Sequence, residues 1–134
     1  MTRRLRGADG GWTLIELFVV LSIVVVLATL AMNQYRNSKT YAKEAALKSD
    51  LFLMRDAIDQ YYADKGRYPE SLQTLVSESY IRAVPRDPFT ESSDTWITVP
   101  ATPEPGSGSA AAGIYDVKSG SPDTAMDGSR HGDW

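Results

Sequence analysis

Cysteine is absent from the chain, and histidine occurs once, at His131 in a glycine-rich tail. Without cysteine, no disulfide framework and no thiolate metal site can form. The lone histidine has no sequence partner that would suggest nucleophilic or metal chemistry. No serine lies in a nucleophile elbow, and no glycine-rich loop follows a strand to bind phosphate. Because no catalytic constellation can be assembled, we expect that the chain is not an enzyme.

Glycine and proline are both missing from Trp12 to Lys65. This absence of helix breakers predicts one helix from about Thr13 to Ala63. In its second half, apolar residues recur at three- and four-residue steps: Leu47, Leu51, Met54, Ile58 and Tyr62. Such spacing gives one apolar stripe, so the rest of the chain must fold back on it. Gly66 is the expected end of the helix.

An excess of positive charge is also lacking, because 14 Lys and Arg stand against 17 Asp and Glu. The resulting net charge of -3 gives no reason to expect nucleic-acid binding. A chain of 134 residues has room for one small core, but not for an enzyme with a deep cleft.

The longest apolar run extends from Leu14 to Met32 and holds one charge, Glu16. As a helix it would be about 28 Å long, close to the roughly 30 Å hydrocarbon core of a membrane. Arginines precede the run and polar sequence follows it, which predicts a cytoplasmic N-terminus and an exported C-terminal part. A secretory signal peptide cleaved at Thr29–Ala31 has the same layout, but Glu16 and the helical sequence beyond argue against it.

Glu16 is a functional hypothesis in its own right, because a carboxylate at membrane depth is unfavourable unless it finds a partner. In the alternative interpretation, the side chain lies near the start of the helix. It would then reach the lipid headgroups and gain from the helix dipole.

The segment Gly11–Glu16, behind a leader that holds three arginines, resembles the prepilin processing site of the type IV pilin and type II secretion pseudopilin superfamily. The resemblance implies that a dedicated peptidase cuts after Gly11 and methylates the new N-terminus, Trp12. Glu16 would become the fifth residue of the mature chain and pair with the Trp12 amine of a neighbouring subunit.

Two further segments, Tyr62–Pro69 and Tyr80–Phe89, are similar to stretches of the major pseudopilins. The missing cysteine also favours pseudopilins, since many type IV pilins carry a disulfide. The chain departs from the family pattern in the membrane half of the helix, where Val25 and Asn33 replace the usual glycine and proline. Either the helix stays intact there, or another device such as Thr29 loosens it.

The segment Tyr115–Asp123 is similar to the start of the family's calcium loop. The resemblance implies Ca²⁺ ligands at the Gly120 carbonyl and at Asp123. The family's second aspartate falls on Arg130, so Asp127 or Asp133 would have to substitute. The alternative is that these aspartates are solvated turn residues.

The expected fold is α+β, with a long N-terminal helix and a small sheet and loop region packed on its second half. A short helix is expected over Ser71–Val76, with Ser71 or Glu70 near its start, and strands are expected at Thr95–Val99 and Ile114–Val117. The predicted divisions follow in chain order: a leader (1–11), the membrane and filament-core half of the helix (12–34), its amphipathic half (35–65) and a C-terminal globular region (66–134) with a flexible loop at about 100–113.

The resemblance implies a single-pass inner-membrane protein that polymerises into a short periplasmic pseudopilus and helps export folded proteins. Its implied partners are copies of itself, minor pseudopilins, the prepilin peptidase and the inner-membrane assembly platform. Two alternatives stay open: a type IV pilin of a surface fibre, and an exported binding protein held by an uncleaved anchor.

Overall fold

A computed structural model describes residues 10–102 and 113–134, with the backbone alone at 10–12. Two compact units divide the chain, Met1–Lys39 and Thr40–Trp134. The described residues form two α-helices, a two-stranded sheet and a 3-10 helix: α1 (Gly10–Lys65), α2 (Leu72–Ser77), β1 (Ile97–Pro100), β2 (Ile114–Lys118) and the 3-10 helix His131–Asp133. The α+β class predicted from the sequence is therefore confirmed.

In the first unit, all the described side chains of α1 are exposed, including the apolar run. The hydroxyls of Ser22 and Thr29 donate to the carbonyls of Phe18 and Val25, at 2.7 and 2.8 Å. These bonds satisfy both hydroxyls within the helix, as an apolar surrounding requires. By length and composition, the part of the chain that the structure describes has one helix that could cross a membrane, with a mean hydropathy of 2.8 in its best window.

The end of α1 is fixed by Gly66, as the sequence predicts. Gly66 has a φ of 67°, a left-handed conformation that glycine adopts without strain. Its amide donates to the Tyr62 carbonyl at 2.8 Å and so closes the last turn. The predicted short helix is also present, since the Ser71 side chain accepts from the Thr74 amide and caps α2.

The apolar stripe of the second unit follows alternating steps of four and three residues, and its members are Leu47, Leu51, Met54, Ile58 and Tyr61. Tyr61 is 2% exposed, whereas Tyr62 is 46% exposed. The prediction that Tyr62 continues the stripe was therefore wrong. Tyr62 instead stacks on Tyr68, with ring centroids 4.4 Å apart.

Two apolar clusters form the core of the second unit, and both use the stripe. One joins Ala57, Ile58 and Tyr61 to Leu75 of α2 and Ile114 of β2. The other joins the first three stripe residues to a buried tryptophan and a β2 valine: Leu47, Leu51, Met54, Trp96 and Val117. The globular residues thus fold back on α1, as its one-sided pattern requires.

Strands β1 and β2 are antiparallel, with Val99 opposite Asp116 and Pro100 opposite Ile114. Tyr115 is the extra residue of this irregular step, a β-bulge. The bulge explains why Ile114 and Val117 are both buried although three positions separate them. The predicted loop at 100–113 falls mostly on 103–112, outside the described residues.

Candidate functional site

Glu16 lies on the exposed surface of α1 in the first unit. Its neighbours Ile15 and Phe18 are 66% and 64% exposed, so a carboxylate interrupts an otherwise apolar surface. Within 10–102 and 113–134, no ion pair to this carboxylate is present. Glu16 is therefore open to a partner supplied by another molecule.

Gly11 and Trp12 lie in the first turns of α1, where the structure describes the backbone alone. Trp12 stands four positions before Glu16, a spacing that places both residues on one helix face. An amine created at Trp12 by cleavage would thus lie at the same end of the helix as the carboxylate. Cleavage itself stays a prediction.

The tail, residues 119–134, contacts α1 of the second unit through Glu44. The Glu44 Oε1 atom accepts from the Met126 amide at 2.9 Å and lies 3.9 Å from His131 Nε2. His131 is 1% exposed, and its ring lies 4.0 Å from the Phe89 ring between centroids. The sequence did not predict the contact between Glu44 and His131, because these two residues are far apart in the chain and no motif joins them.

Arg55 makes a second connection from α1 to the tail. Its Nε donates to Asp116 Oδ1 at 2.7 Å, and its Nη2 donates to the Val117 carbonyl at 3.0 Å and to the Trp134 carbonyl. The Lys48 ammonium lies 4.2 Å from the centre of a Trp134 ring, a favourable cation–π position. Basic side chains of α1 therefore hold the last residue of the described chain.

Asp87 is a fully buried carboxylate at the start of a loop. Its Oδ1 accepts from the amides of Phe89 and Thr90, at 2.8 and 3.3 Å, and its Oδ2 accepts from the Ser119 hydroxyl. Burial, followed by the repulsion of Asp87, raises the pKa of Asp50 above its ordinary value. The sequence pointed to this site only through the Asp87-Pro88 pair, which favours a turn.

The residues predicted to bind Ca²⁺ are spread along the tail. Asp127 Oδ1 accepts from the Ser129 amide at 2.9 Å and from its hydroxyl at 2.6 Å. These bonds, the hydroxyl first, lower the pKa of the Asp127 carboxyl. Asp123 and Asp133 are exposed, and the Asp123 carbonyl accepts from the His131 amide.

The fit of these residues to a metal is poor. The described residues contain no group of three or more histidine, aspartate or glutamate side chains that could hold an ion. The structure requires glycine at position 120 for a steric reason that does not involve a metal. A Cβ atom there would lie 2.0 Å from the Thr95 carbonyl oxygen. A Ca²⁺ site would have to combine the Gly120 carbonyl with Asp123 and Asp133, and it stays a prediction.

No family model and no solved structure match the chain. The type II secretion system core protein G of Klebsiella pneumoniae is 36% identical over 95 residues, which are 59% of this chain and 68% of that protein. The protein of the same name from Escherichia coli K12 is 30% identical over 132 residues, 87% of this chain and 83% of its own. A third, from Klebsiella michiganensis, is 31% identical over 100 residues, 63% and 70% of the two chains.

Proposed function

The chain belongs to the type II secretion system core protein G family, the major pseudopilins, and on that premise we propose that it is a structural subunit of a type II secretion pseudopilus. The subunit polymerises in the periplasm, and the polymer helps to drive folded proteins through the outer membrane. Its part in this process is mechanical, with no reaction catalysed by the chain. The observation that carries the proposal is the single carboxylate, Glu16, on the exposed apolar surface of α1.

Processing prepares the subunit for assembly. The prepilin peptidase removes residues 1–11 and methylates Trp12, while the apolar half of α1 anchors the chain in the inner membrane. The N-terminus faces the cytoplasm and the second unit faces the periplasm, since the arginines of the leader favour the cytoplasmic side.

Glu16 then selects the position of each new subunit. A carboxylate in apolar surroundings is unfavourable alone, and the cationic Trp12 amine of a neighbour compensates it. Apolar surroundings screen the attraction between the two charges only weakly. A subunit in the wrong register would leave both the carboxylate and the amine without a partner. The partners of the chain are other copies of itself, minor pseudopilins, the prepilin peptidase and the inner-membrane assembly platform.

Cross-linking in membranes tests the proposal. Glu16→Leu should abolish the ladder of cross-linked multimers, because the Trp12 amine loses its partner. Membrane insertion and folding of the second unit should stay intact, since neither needs the charge. The matched control is Ser22→Leu, which places the same residue in the same apolar run and should keep the ladder.

A ladder from Glu16→Leu that equals the wild type would overturn the pairing. A wild-type chain that gives no multimers when the secretion machinery is present would overturn the proposed function as a whole.

A further inference from the structure

The tail is tied to the rest of the second unit at several independent points. Glu44 binds the Met126 amide, and Arg55 binds the Trp134 carbonyl. The Ser119 hydroxyl donates to the buried carboxylate of Asp87. Together these contacts fix the beginning, the middle and the end of the tail.

Apolar packing reinforces these polar contacts around His131. The ring of His131 contacts those of Phe89 and Trp134, with centroid distances of 4.0 and 4.9 Å. The Trp134 indole donates to Ser129 at 2.7 Å, so the ring that covers His131 is itself held in place. This packing gives the tail a small core, which its sequence alone does not suggest.

The helix α1 adds positive charge beside the tail. Lys48 lies over Trp134 and lowers the pKa of Asp127 as a lesser cause, and Lys43 lies 5.7 Å from the Phe89 ring centre. Arg55 pairs with Asp116 beside the start of the tail. A bound calcium ion would supply positive charge to such a region, but here the helix already supplies it.

Two features of the tail disfavour a calcium site. Asp127 is bonded to Ser129, and Arg130 stands where the related calcium loop has its second aspartate. A cation at that position would repel calcium rather than bind it. The Asp123 carbonyl also accepts from the His131 amide, which ties its backbone into the turn.

We infer that side chains of α1, chiefly Glu44, Lys48 and Arg55, hold the tail in place without a metal ion. The tail of this chain is thus ordered in calcium and in its absence alike. This inference does not rest on the proposed function, because it concerns the folding of one subunit.

Thermal unfolding of the full-length chain in detergent, in calcium or in chelator, tests the inference. The wild type should melt at the same temperature in both, within about 1 °C. Glu44→Ala should lower the melting temperature by at least about 5 °C in both solutions, because the Met126 amide loses its acceptor and the buried His131 loses the carboxylate 3.9 Å from its Nε2 atom. The matched control is Asp56→Ala on the same helix, since within 10–102 and 113–134 the Asp56 carboxylate accepts a hydrogen bond from its helix neighbour Gln60 and from no tail residue.

Hydrogen exchange of the wild type gives a readout that needs no variant. The amides of Met126 and His131 should be equally protected in calcium and in chelator. A wild type that melts higher in calcium, with Asp123→Ala erasing the difference, would overturn the inference. A Glu44→Ala chain as stable as Asp56→Ala would overturn it too, because Glu44 would then not hold the tail.

Discussion

Asp87 is the residue on which the loop before β1 and the start of the tail both depend. Its carboxylate accepts three hydrogen bonds in a site without solvent, from Phe89, Thr90 and Ser119. Loss of the Asp87 carboxylate would leave each of these donors without an acceptor. For a donor that water cannot reach, this costs about 1–3 kcal/mol of folding free energy. Two short loops are thereby fixed by one side chain.

We therefore expect Asp87→Ala to lower the free energy of unfolding by about 3 kcal/mol, with Asp94→Ala changing it by less than about 0.5 kcal/mol. Asp94 is exposed in the same loop and serves as the matched control. The measurement is urea unfolding followed by the near-ultraviolet circular dichroism of the aromatic side chains. Equal midpoints for the two variants would show that the buried bonds of Asp87 contribute little.

Asp127 gives a pH prediction at the same scale. The hydrogen bonds from Ser129 lower the pKa of the Asp127 carboxyl. The stabilisation that these bonds give the turn is therefore fully present above the ordinary carboxyl pKa, and it is lost as the pH falls through the lowered pKa of Asp127. Ser129→Ala should raise the pKa of Asp127 towards its ordinary value, as a carboxyl carbon NMR titration would record. Ser77→Ala is the control, and an unchanged Asp127 titration in Ser129→Ala would contradict the assignment.

The residues of the tail contacts could not be predicted from the sequence, for a physical reason. Glu44 and Arg55 look like ordinary solvated residues beside the apolar stripe, and their partners are more than 60 positions away. Local patterns carry no information on such pairs. Glu16 was predictable because a lone charge in an apolar run is unusual without any knowledge of the fold.

At the scale of elements, the helices were predictable because their signals are local. The absence of glycine and proline gave α1, and Gly66 and Ser71 marked its end and the start of α2. The stripe was misassigned at its last position, where Tyr61 and Tyr62 are chemically equivalent and steps of three or four residues both fit a helix. The bulge at Tyr115 had no sequence signal, because it depends on the register of two strands.

The junction between β2 and the tail depends on a close backbone approach. Gly120→Ala would place a methyl group 2.0 Å from the Thr95 carbonyl oxygen, so one backbone must move. We expect this variant to lose the tail contacts and to melt far below the wild type. Gly132→Ala is the matched control in the same tail, because its methyl group would lie at an ordinary 3.6 Å from the Ser119 carbonyl oxygen.

Thermal unfolding of both glycine variants checks this prediction. A Gly120→Ala chain that melts with Gly132→Ala would show that the tail can shift away from Thr95 at little cost.

At the scale of the whole molecule, α1 has surfaces of two kinds. Its residues in the first unit expose apolar side chains throughout, whereas its residues in the second unit bury one stripe against a small core. The apolar stripe of the second unit is covered by residues of the same chain. The exposed apolar surface of the first unit needs a membrane or other subunits to cover it, and the proposed function supplies both in turn.

The central claim is that the chain is a processed pseudopilin subunit, and the intact mass of the native protein tests it most directly. The account predicts a mature chain that begins at Trp12 and carries one added methyl group. Gly11→Val should leave the leader in place, because the proposed cut follows this glycine. A native chain that keeps its leader, or one that begins at Met32 after cleavage as a secretory protein, would contradict the account.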